Sequence, residues 1–394
     1  CGCDELLETR IRTGMGTQNL MMDRRQFLGS AAVAGLTASL SADANVSAED
    51  HITAGVITNA GGAHLGIYFE ALAKVDEVRA VVLADADGAS ETMARNALGE
   101  KLTKVYTDRD AMLATEKPAM AVVSLEAKLS PEAIRATLLS GCHVFAEKPA
   151  CIHDTEFETL VKLADSSNLL LMLALVNRVN PEVVEARRIV EAGLIGKIYG
   201  VEMNLIQDQT RLTNPGYQAS WMASKARAGG GHLSWLGIHW LDLAMYITGS
   251  RIEQVAGFSG NVGGQPLDTE DSVAMTMKFD KGFFGTLTSG YYLDKGYQSH
   301  LKIWGSKGWL QIDSDPPRRM RWYSSEAGQE PGMKEFIGPE EFDPYIIFMR
   351  NAVRASLRLE HAPISGADSL HVLRTVHGLY KAASTESTQQ ISAV

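Results

Sequence analysis

His143-Val144-Phe145-Ala146-Glu147-Lys148-Pro149 is an apolar run that ends in a charged pair and a proline. A short Val/Phe-rich run of this kind reads as a buried strand of a parallel sheet. The proline removes a ladder donor and ends the strand. Lys148 therefore stands at the carboxyl end of a strand, the side on which open α/β sheets bind ligands. The competing reading is a surface ion pair between Glu147 and Lys148, and the surrounding sequence has to decide between them.

Outward from this run, short β-branched segments at 52–57, 78–84, 119–124 and 169–174 alternate with helical periodicity at 65–74, 89–98, 131–140 and 155–166. Alternation of this kind marks βαβ units and a parallel sheet. Asp154 is the expected N-cap of the last of these helices. After Asn180-Pro181 the pattern changes. A helix at 182–192 and a long strand at 198–207 precede Gly229-Gly230-Gly231, a helix at 232–247 and successive strands at 255–259, 272–279, 283–289, 299–304, 308–312 and 320–323. Helices at 340–357 and 367–383 follow. The expected fold class is α/β: a Rossmann dinucleotide-binding domain at 50–175, then an α+β domain at 176–385 with a large open, mostly antiparallel sheet. Residues 386–394 read as a frayed tail.

The chain has 394 residues, with 37 Lys+Arg against 47 Asp+Glu and a formal net charge of −10. That balance argues against a nucleic-acid partner and suits a neutral or polar small substrate. Of four cysteines, Cys1 and Cys3 fall in the N-terminal extension, leaving Cys142 and Cys151 for the body, too few for a disulfide framework or a zinc ribbon. The extension itself carries an address. Asp23-Arg24-Arg25-Gln26-Phe27-Leu28-Gly29, a weakly apolar stretch at 30–40 and Ala42-Asp43-Ala44 resemble a twin-arginine signal peptide. Residues 1–44 are thus expected to be a presequence, with Met21 or Met22 as the start and 1–20 an upstream misreading. The expectation is export to the periplasm or cell envelope by the twin-arginine machinery, with no stable membrane span. That route carries folded proteins, which suits a cofactor inserted before export.

Two further segments carry candidate chemistry. Asn59-Ala60-Gly61-Gly62-Ala63-His64-Leu65-Gly66 lies between a strand and a helix, where a phosphate-binding turn belongs. Gly62 takes the central glycine position, while Ala60 and Leu65 stand where the first and third glycines would be. Asp85 ends the second strand. It can bind a ribose 2′-hydroxyl, favouring NAD over NADP, or act as a solvated cap on the next helix through Asp87-Gly88. In Gly237-Ile238-His239-Trp240-Leu241-Asp242, His239 and Asp242 share a helix face. One can orient the other, both can meet a substrate hydroxyl, or His239 can be a core residue. A metal site is not expected, because these two supply no clear third ligand.

The order of these elements, from the turn at Gly62 and Asp85 through Glu147-Lys148-Pro149, Asn177-Arg178-Val179-Asn180-Pro181 and Gly193-Leu194-Ile195-Gly196 to Gly237-x-His239-x-x-Asp242, resembles the glucose–fructose oxidoreductase/inositol dehydrogenase (Gfo/Idh/MocA) family. The resemblance covers the chain from Ile52 onward. It implies an NAD(P)-dependent oxidoreductase acting on a sugar, cyclitol or polyol, and a homo-oligomer, dimer or tetramer, with contacts on the open sheet. It implies Lys148 and His239 as catalytic residues, and Gly61, Gly62, Asp85, Glu147 and Lys148 around the cofactor. It implies Asn177, Arg178, Trp221, Trp235 and Asp242 at the substrate, with Trp221 covering it.

The chain also departs from the family pattern. Many relatives carry an aspartate two residues before Gly237, where this chain has Trp235, and the segment 124–128 lacks the Thr-Pro-Asn type of turn. Three readings follow: an exported oxidoreductase with a tightly held, internally recycled cofactor; a redox-neutral enzyme working through a transient keto sugar; and a non-catalytic binding protein of the same fold.

Overall fold

The computed structural model describes residues 51–313 and 319–393. The presequence expected at 1–44 lies outside the described residues. Six strands, β1 (Ile52–Thr58), β2 (Val78–Asp85), β3 (Leu102–Tyr106), β4 (Met120–Ser124), β5 (His143–Ala146) and β6 (Leu171–Leu173), form a parallel sheet in the order β3-β2-β1-β4-β5-β6. Connecting them are α1 (Leu65–Lys74), α2 (Glu91–Leu98), α3 (Arg109–Glu116), α4 (Ser130–Leu139) and α5 (Asp154–Ser166). This is the doubly wound order whose chain reverses direction between β1 and β4, opening a crevice at their carboxyl ends.

After α6 (Pro181–Glu191) and β7 (Ile198–Asp208) come two short helices, α7 (Pro215–Gln218) and α8 (Lys225–Ala228). A wide π turn, Leu233–Gly237, then leads into α9 (Ile238–Thr248). The following strands are β8 (Ile252–Gly260), β9 (Ser272–Phe279), β10 (Phe284–Leu293), β11 (Tyr297–Gly305), β12 (Gly308–Asp313), β13 (Arg319–Ser324) and β14 (Met333–Ile337). Helices α10 (Pro344–Ser356) and α11 (Gly366–Thr385) and the two-residue β15 (Gln389–Gln390) close the chain. The second sheet has nine strands in the order β14-β13-β12-β11-β7-β10-β9-β8-β15, antiparallel except for the β7/β10 pair. One face of it packs on the helices through Val201, Met203, Leu205, Leu287, Leu301 and Ile303. Helix α10 returns to the first sheet, where Phe348 meets Phe145 edge-on at 5.8 Å and Phe145 meets Tyr68 at 5.4 Å.

Several local expectations are corrected. Strands β3 and β14 and helix α3 were not anticipated. β3 and β14 lie at sheet edges, and Thr103, Lys104, Lys334 and Glu335 interrupt the apolar signal that identifies a buried strand. Asp154 is the first residue of α5 rather than its cap: His153 occupies the N-cap, and its N–H donates to the Glu156 carboxylate at 3.2 Å. The tail is not frayed through Ala393. β15 pairs with β8, Ile391 is buried, and Arg374 donates to the Ala393 carbonyl at 2.9 Å. Among the described residues no helix is long and apolar enough to cross a membrane, and no group of three or more His, Cys, Asp or Glu could hold a metal ion.

Candidate active site

The glycine turn follows β1 at the reversal point. Gly62 N–H donates to the Asn59 carbonyl at 2.9 Å, and Gly61 N–H to Asn59 Oδ1 at 2.8 Å. A Cβ on Gly62 would lie 2.2 Å from Thr58 Oγ1 and 2.9 Å from the Ser124 carbonyl. Since Thr58 Oγ1 itself donates to that carbonyl at 2.9 Å, only glycine lets the turn close between β1 and β4. Gly62→Ala is expected to lower stability by about 2 kcal/mol through overpacking and to weaken dinucleotide binding in parallel, as read by chemical denaturation and by NADH titration.

Asp85 is fully buried at the end of β2. Its Oδ2 accepts from Ser90 N–H at 2.6 Å, so one oxygen does hold the start of the next helix, without being solvated. Its Oδ1 is buried with no donor. An acceptor without a partner at this place is what a ribose hydroxyl would satisfy. Burial and the neighbouring Asp87 carboxylate push the Asp85 carboxyl above its ordinary value, against the Ser90 N–H. Exposed Asp87 accepts from Ala60 N–H at 2.9 Å and ties the glycine turn to β2. A cleft of about 320 Å³ opens beside this corner, lined by Thr58, Asn59, Ala84, Ala86 and Leu125 among others. These features could accommodate the adenosine half of a dinucleotide, with Gly61, Gly62 and Asp85 as the residues able to hold it.

At the end of β5, Lys148 is buried, and its peptide bond to Pro149 is cis. It is not a surface ion pair. Its Nζ donates to the Trp235 carbonyl at 2.7 Å and lies 4.2 Å from the centre of the Trp235 ring, while Glu147 stays at 3.9 Å. Trp235, expected at the substrate, thus offers Lys148 a main-chain acceptor and a π face. That carbonyl lies within the π turn before α9, a helical irregularity often found at functional sites. Burial lowers the Lys148 ammonium to about 8; Glu147 opposes that shift and the Arg211 charge adds to it.

Glu147 is fully engaged: the Tyr68 hydroxyl donates to it and His64 Nδ1 lies 3.2 Å away. Burial would raise its carboxyl, but His64, Lys148 and Tyr68 outweigh that and hold it below its usual value. His64 and Tyr68, the second-layer residues that fix Glu147, were not foreseen. His64 adopts a left-handed backbone (φ 57°) that its place in the turn did not announce.

His239 lies one helical turn beyond Trp235, and its Nδ1 is buried without a hydrogen-bond partner. Burial first, then the charges of Lys148 and His64, lower its imidazole well below the ordinary value. It is therefore a neutral ring with an open position at neutral pH.

The remaining predicted residues separate into other roles. Asp242 does not orient His239; it accepts from Arg178 Nε at 2.9 Å and Nη2 at 2.6 Å in a buried bidentate pair. Arg178 also reaches the Pro363 carbonyl at 3.4 Å and lies 4.9 Å from the Tyr246 ring. Asp242 keeps this guanidinium charged although burial works against it. In this structure the two side chains pair with each other and join the Val176–Val179 turn to α9. Asp242→Asn is expected to cost about 3 kcal/mol by removing the nearer of the two carboxylates that balance this buried cation, Asp368 lying 3.6 Å from Nη1, and is measurable as a lower denaturation midpoint. Asn177 stands half-buried in the same 3-10 turn. Trp221 is buried against Trp235, ring centres 5.0 Å apart, and its indole N–H donates to the Gly61 carbonyl at 2.8 Å. Its hydrogen bond is therefore with the glycine turn.

A doubly wound sheet with a glycine turn thus lies next to a buried lysine whose charge is felt by a histidine of the second domain. Residues 24–175 match the oxidoreductase family with the NAD-binding Rossmann fold, and residues 183–311 match the GFO/IDH/MocA C-terminal domain. The chain belongs to the Gfo/Idh/MocA family of oxidoreductases.

Among curated relatives, it is 28% identical over 169 residues to levoglucosan dehydrogenase of Pseudarthrobacter phenanthrenivorans, covering 38% of this chain and 43% of that protein. It is 27% identical over 223 residues to D-glucoside 3-dehydrogenase of Escherichia coli, covering 52% and 62%. It is 25% identical over 217 residues to 2,7-anhydro-N-acetylneuraminate hydratase of Mediterraneibacter gnavus, covering 53% and 55%. The chain spans about half to two thirds of the length of the curated relatives it matches. In fold it resembles an oxidoreductase domain protein from Kribbella flavida (TM-score 0.79, 22% identity, 87% of this chain and 99% of that one). It also resembles levoglucosan dehydrogenase in complex with NADH (TM-score 0.78, 18% identity, 87% and 100%).

Proposed function

We propose that this protein oxidises a hydroxyl of a sugar, cyclitol or related polyol with NAD, using Lys148 and His239 to manage the hydroxyl proton. The observation that carries this reading is a lysine buried at the strand end where this sheet type binds ligands, bonded to the Trp235 carbonyl one helical turn before the unpartnered Nδ1 of His239. NAD, when bound, supplies the hydride acceptor. Lys148, still largely charged at neutral pH, donates to the reacting oxygen and stabilises the charge that develops there. His239 offers a neutral ring nitrogen to receive the proton. Asp85 disfavours a 2′-phosphate, so NAD is preferred and NADP is the weaker ligand.

The Arg24-Arg25 run supports export by the twin-arginine machinery to the periplasm or cell envelope. In a compartment without a pool of free nicotinamide, the cofactor has to be held through turnover and recycled on the protein. Homo-oligomer formation, as a dimer or tetramer, is supported by the outer face of the nine-stranded sheet. There the register aligns exposed Phe258, Phe284, Tyr323, Met333 and Ile337 on one side.

A second reading is redox-neutral chemistry through a transient keto sugar. Lys148, lowered to about 8, is able to exchange its proton during elimination or hydration, and two relatives are named as hydratases. Mass analysis of nucleotide released from the full chain, followed by product analysis on a panel of pyranosides and cyclitols, tests both. A net keto product indicates oxidation, and an unsaturated, hydrated or epimerised sugar without net reduction of nucleotide indicates the second reading. Absence of any dinucleotide, before or after titration, would sink both and leave a binding protein.

A further inference from the structure

We propose that residues 209–231 form a strap that retains the dinucleotide, fastened across its binding groove by Trp221 and Arg227. The proposal rests on the NAD-dependent reading above.

The strap leaves the second sheet at the end of β7, where Gln209 N–H donates to the Leu293 carbonyl at 3.0 Å. It then reaches both turns that border the crevice. At the turn after β1, the Trp221 indole N–H donates to the Gly61 carbonyl, and a Cβ on Gly61 would lie 3.4 Å from the indole ring. At the turn after β4, Arg227 Nε donates to Glu126 Oε2 at 2.8 Å, and Lys128 N–H donates to the Arg227 carbonyl at 3.1 Å. Between these fastenings Trp221, Trp235, Ala127 and Ala228 form a small apolar core of their own, with Ala63 and Ile152 packed against it. The return leg is pinned to the second domain, where Asp268 N–H donates to the Ala223 carbonyl at 3.3 Å and the Asp268 carboxylate accepts from Lys225 N–H.

β1 and β4 are neighbours, and a dinucleotide in this sheet type lies across the crevice between their ends. One chain segment therefore bridges both lips of that crevice. The strap is not a substrate cover, because the Trp221 side chain is spent on the glycine turn. The fastenings are individually modest: one neutral hydrogen bond with a buried ring, and one ion pair whose arginine is 47% exposed. The strap can therefore open and reclose, and its stability sets the rate of nucleotide release without preventing loading.

The test uses the full chain loaded with NADH and chased with excess NAD, release being followed by the fall in NADH fluorescence anisotropy. Trp221→Phe is expected to speed release about five-fold, Arg227→Ala about two-fold and the pair about ten-fold, the weights of one buried hydrogen bond and one exposed ion pair. Lys225→Ala, exposed on the same segment and fastened only through its main chain, is expected to leave release unchanged. Circular dichroism and melting confirm folding; should Trp221→Phe not fold, Arg227→Ala on the surface and Arg227→Glu carry the test. Release at the wild-type rate from folded double variant, or from Arg227→Glu, overturns the strap while leaving the NAD reading intact. A wild-type chain that takes up no NADH removes the NAD reading and the strap together.

Discussion

Lys148→Met will slow turnover steeply and make the protein more stable. The loss of rate is expected to be about 10³-fold, because the ammonium that meets the developing charge is gone. The gain in stability follows from the same burial. In the unfolded chain the ammonium has its ordinary value of 10.5, and in the fold it falls to about 8. The folded state thus binds this proton less tightly, which penalises folding by the full amount below pH 8 and progressively less up to pH 10.5. The difference, 10.5 − 8 = 2.5, corresponds to roughly 3 kcal/mol. Losing the bond to the Trp235 carbonyl and the contact with its ring offsets part of this, leaving a net gain of about 1–2 kcal/mol. Melting temperatures of both forms at pH 7 and above pH 10 check it: the advantage of Lys148→Met should be present at the lower pH and shrink at the higher. A variant that is inactive and also less stable at pH 7 would mean that Lys148 is a structural residue.

His239→Ala is expected to lower kcat by about 10³-fold with the fold retained. Its pH signature separates a base from a packing residue. Burial, Lys148 and His64 hold the imidazole well below its ordinary value, so the wild-type rate should stay level as the pH falls through 6.5. On the alkaline side the rate should decline above about pH 8, where Lys148 loses its proton. The residual activity of His239→Ala should keep that alkaline decline, since Lys148 remains. Stability responds in the opposite pH range. The unfolded His239 takes up a proton near its ordinary value while the folded one resists it, so wild-type stability falls as the pH drops below about 6.5. His239→Ala lacks this contribution and should lose less stability in acid. A wild-type rate that instead follows an ionisation near 6.5 would show that His239 is not the buried neutral ring described here.

Much of this architecture was legible because apolar periodicity reports burial directly. The strand His143–Ala146 and helix Leu65–Lys74 fall where hydrophobic spacing puts them, with Gly141 before the strand and Pro149 after it. Edge strands such as Leu102–Tyr106 escaped because an edge needs no continuous apolar run. The position of Lys148 could also be read, since strand ends in a parallel sheet are binding ends. Its partners could not. Trp235 meets the lysine partly through its main-chain carbonyl, and a carbonyl carries no mark in a sequence. Likewise Arg178 and Asp242 are polar residues in motifs that suggest a substrate, yet only the fold shows that they face each other. Trp221 was expected at the substrate, and its indole hydrogen bond ends on Gly61, a contact set by the path of a long irregular segment rather than by any periodic signal.

Spectroscopy of bound nucleotide bears most directly on the assignment of an oxidoreductase site to Lys148 and His239. The purified full chain, mixed in turn with pyranosides and cyclitols, is expected to carry or take up NAD and to show the absorbance of its reduced form with at least one of them, in a single turnover that Lys148→Met does not support. A chain that holds no dinucleotide and takes up none on titration, or a Lys148→Met protein that reduces bound NAD as fast as the wild type, would contradict it.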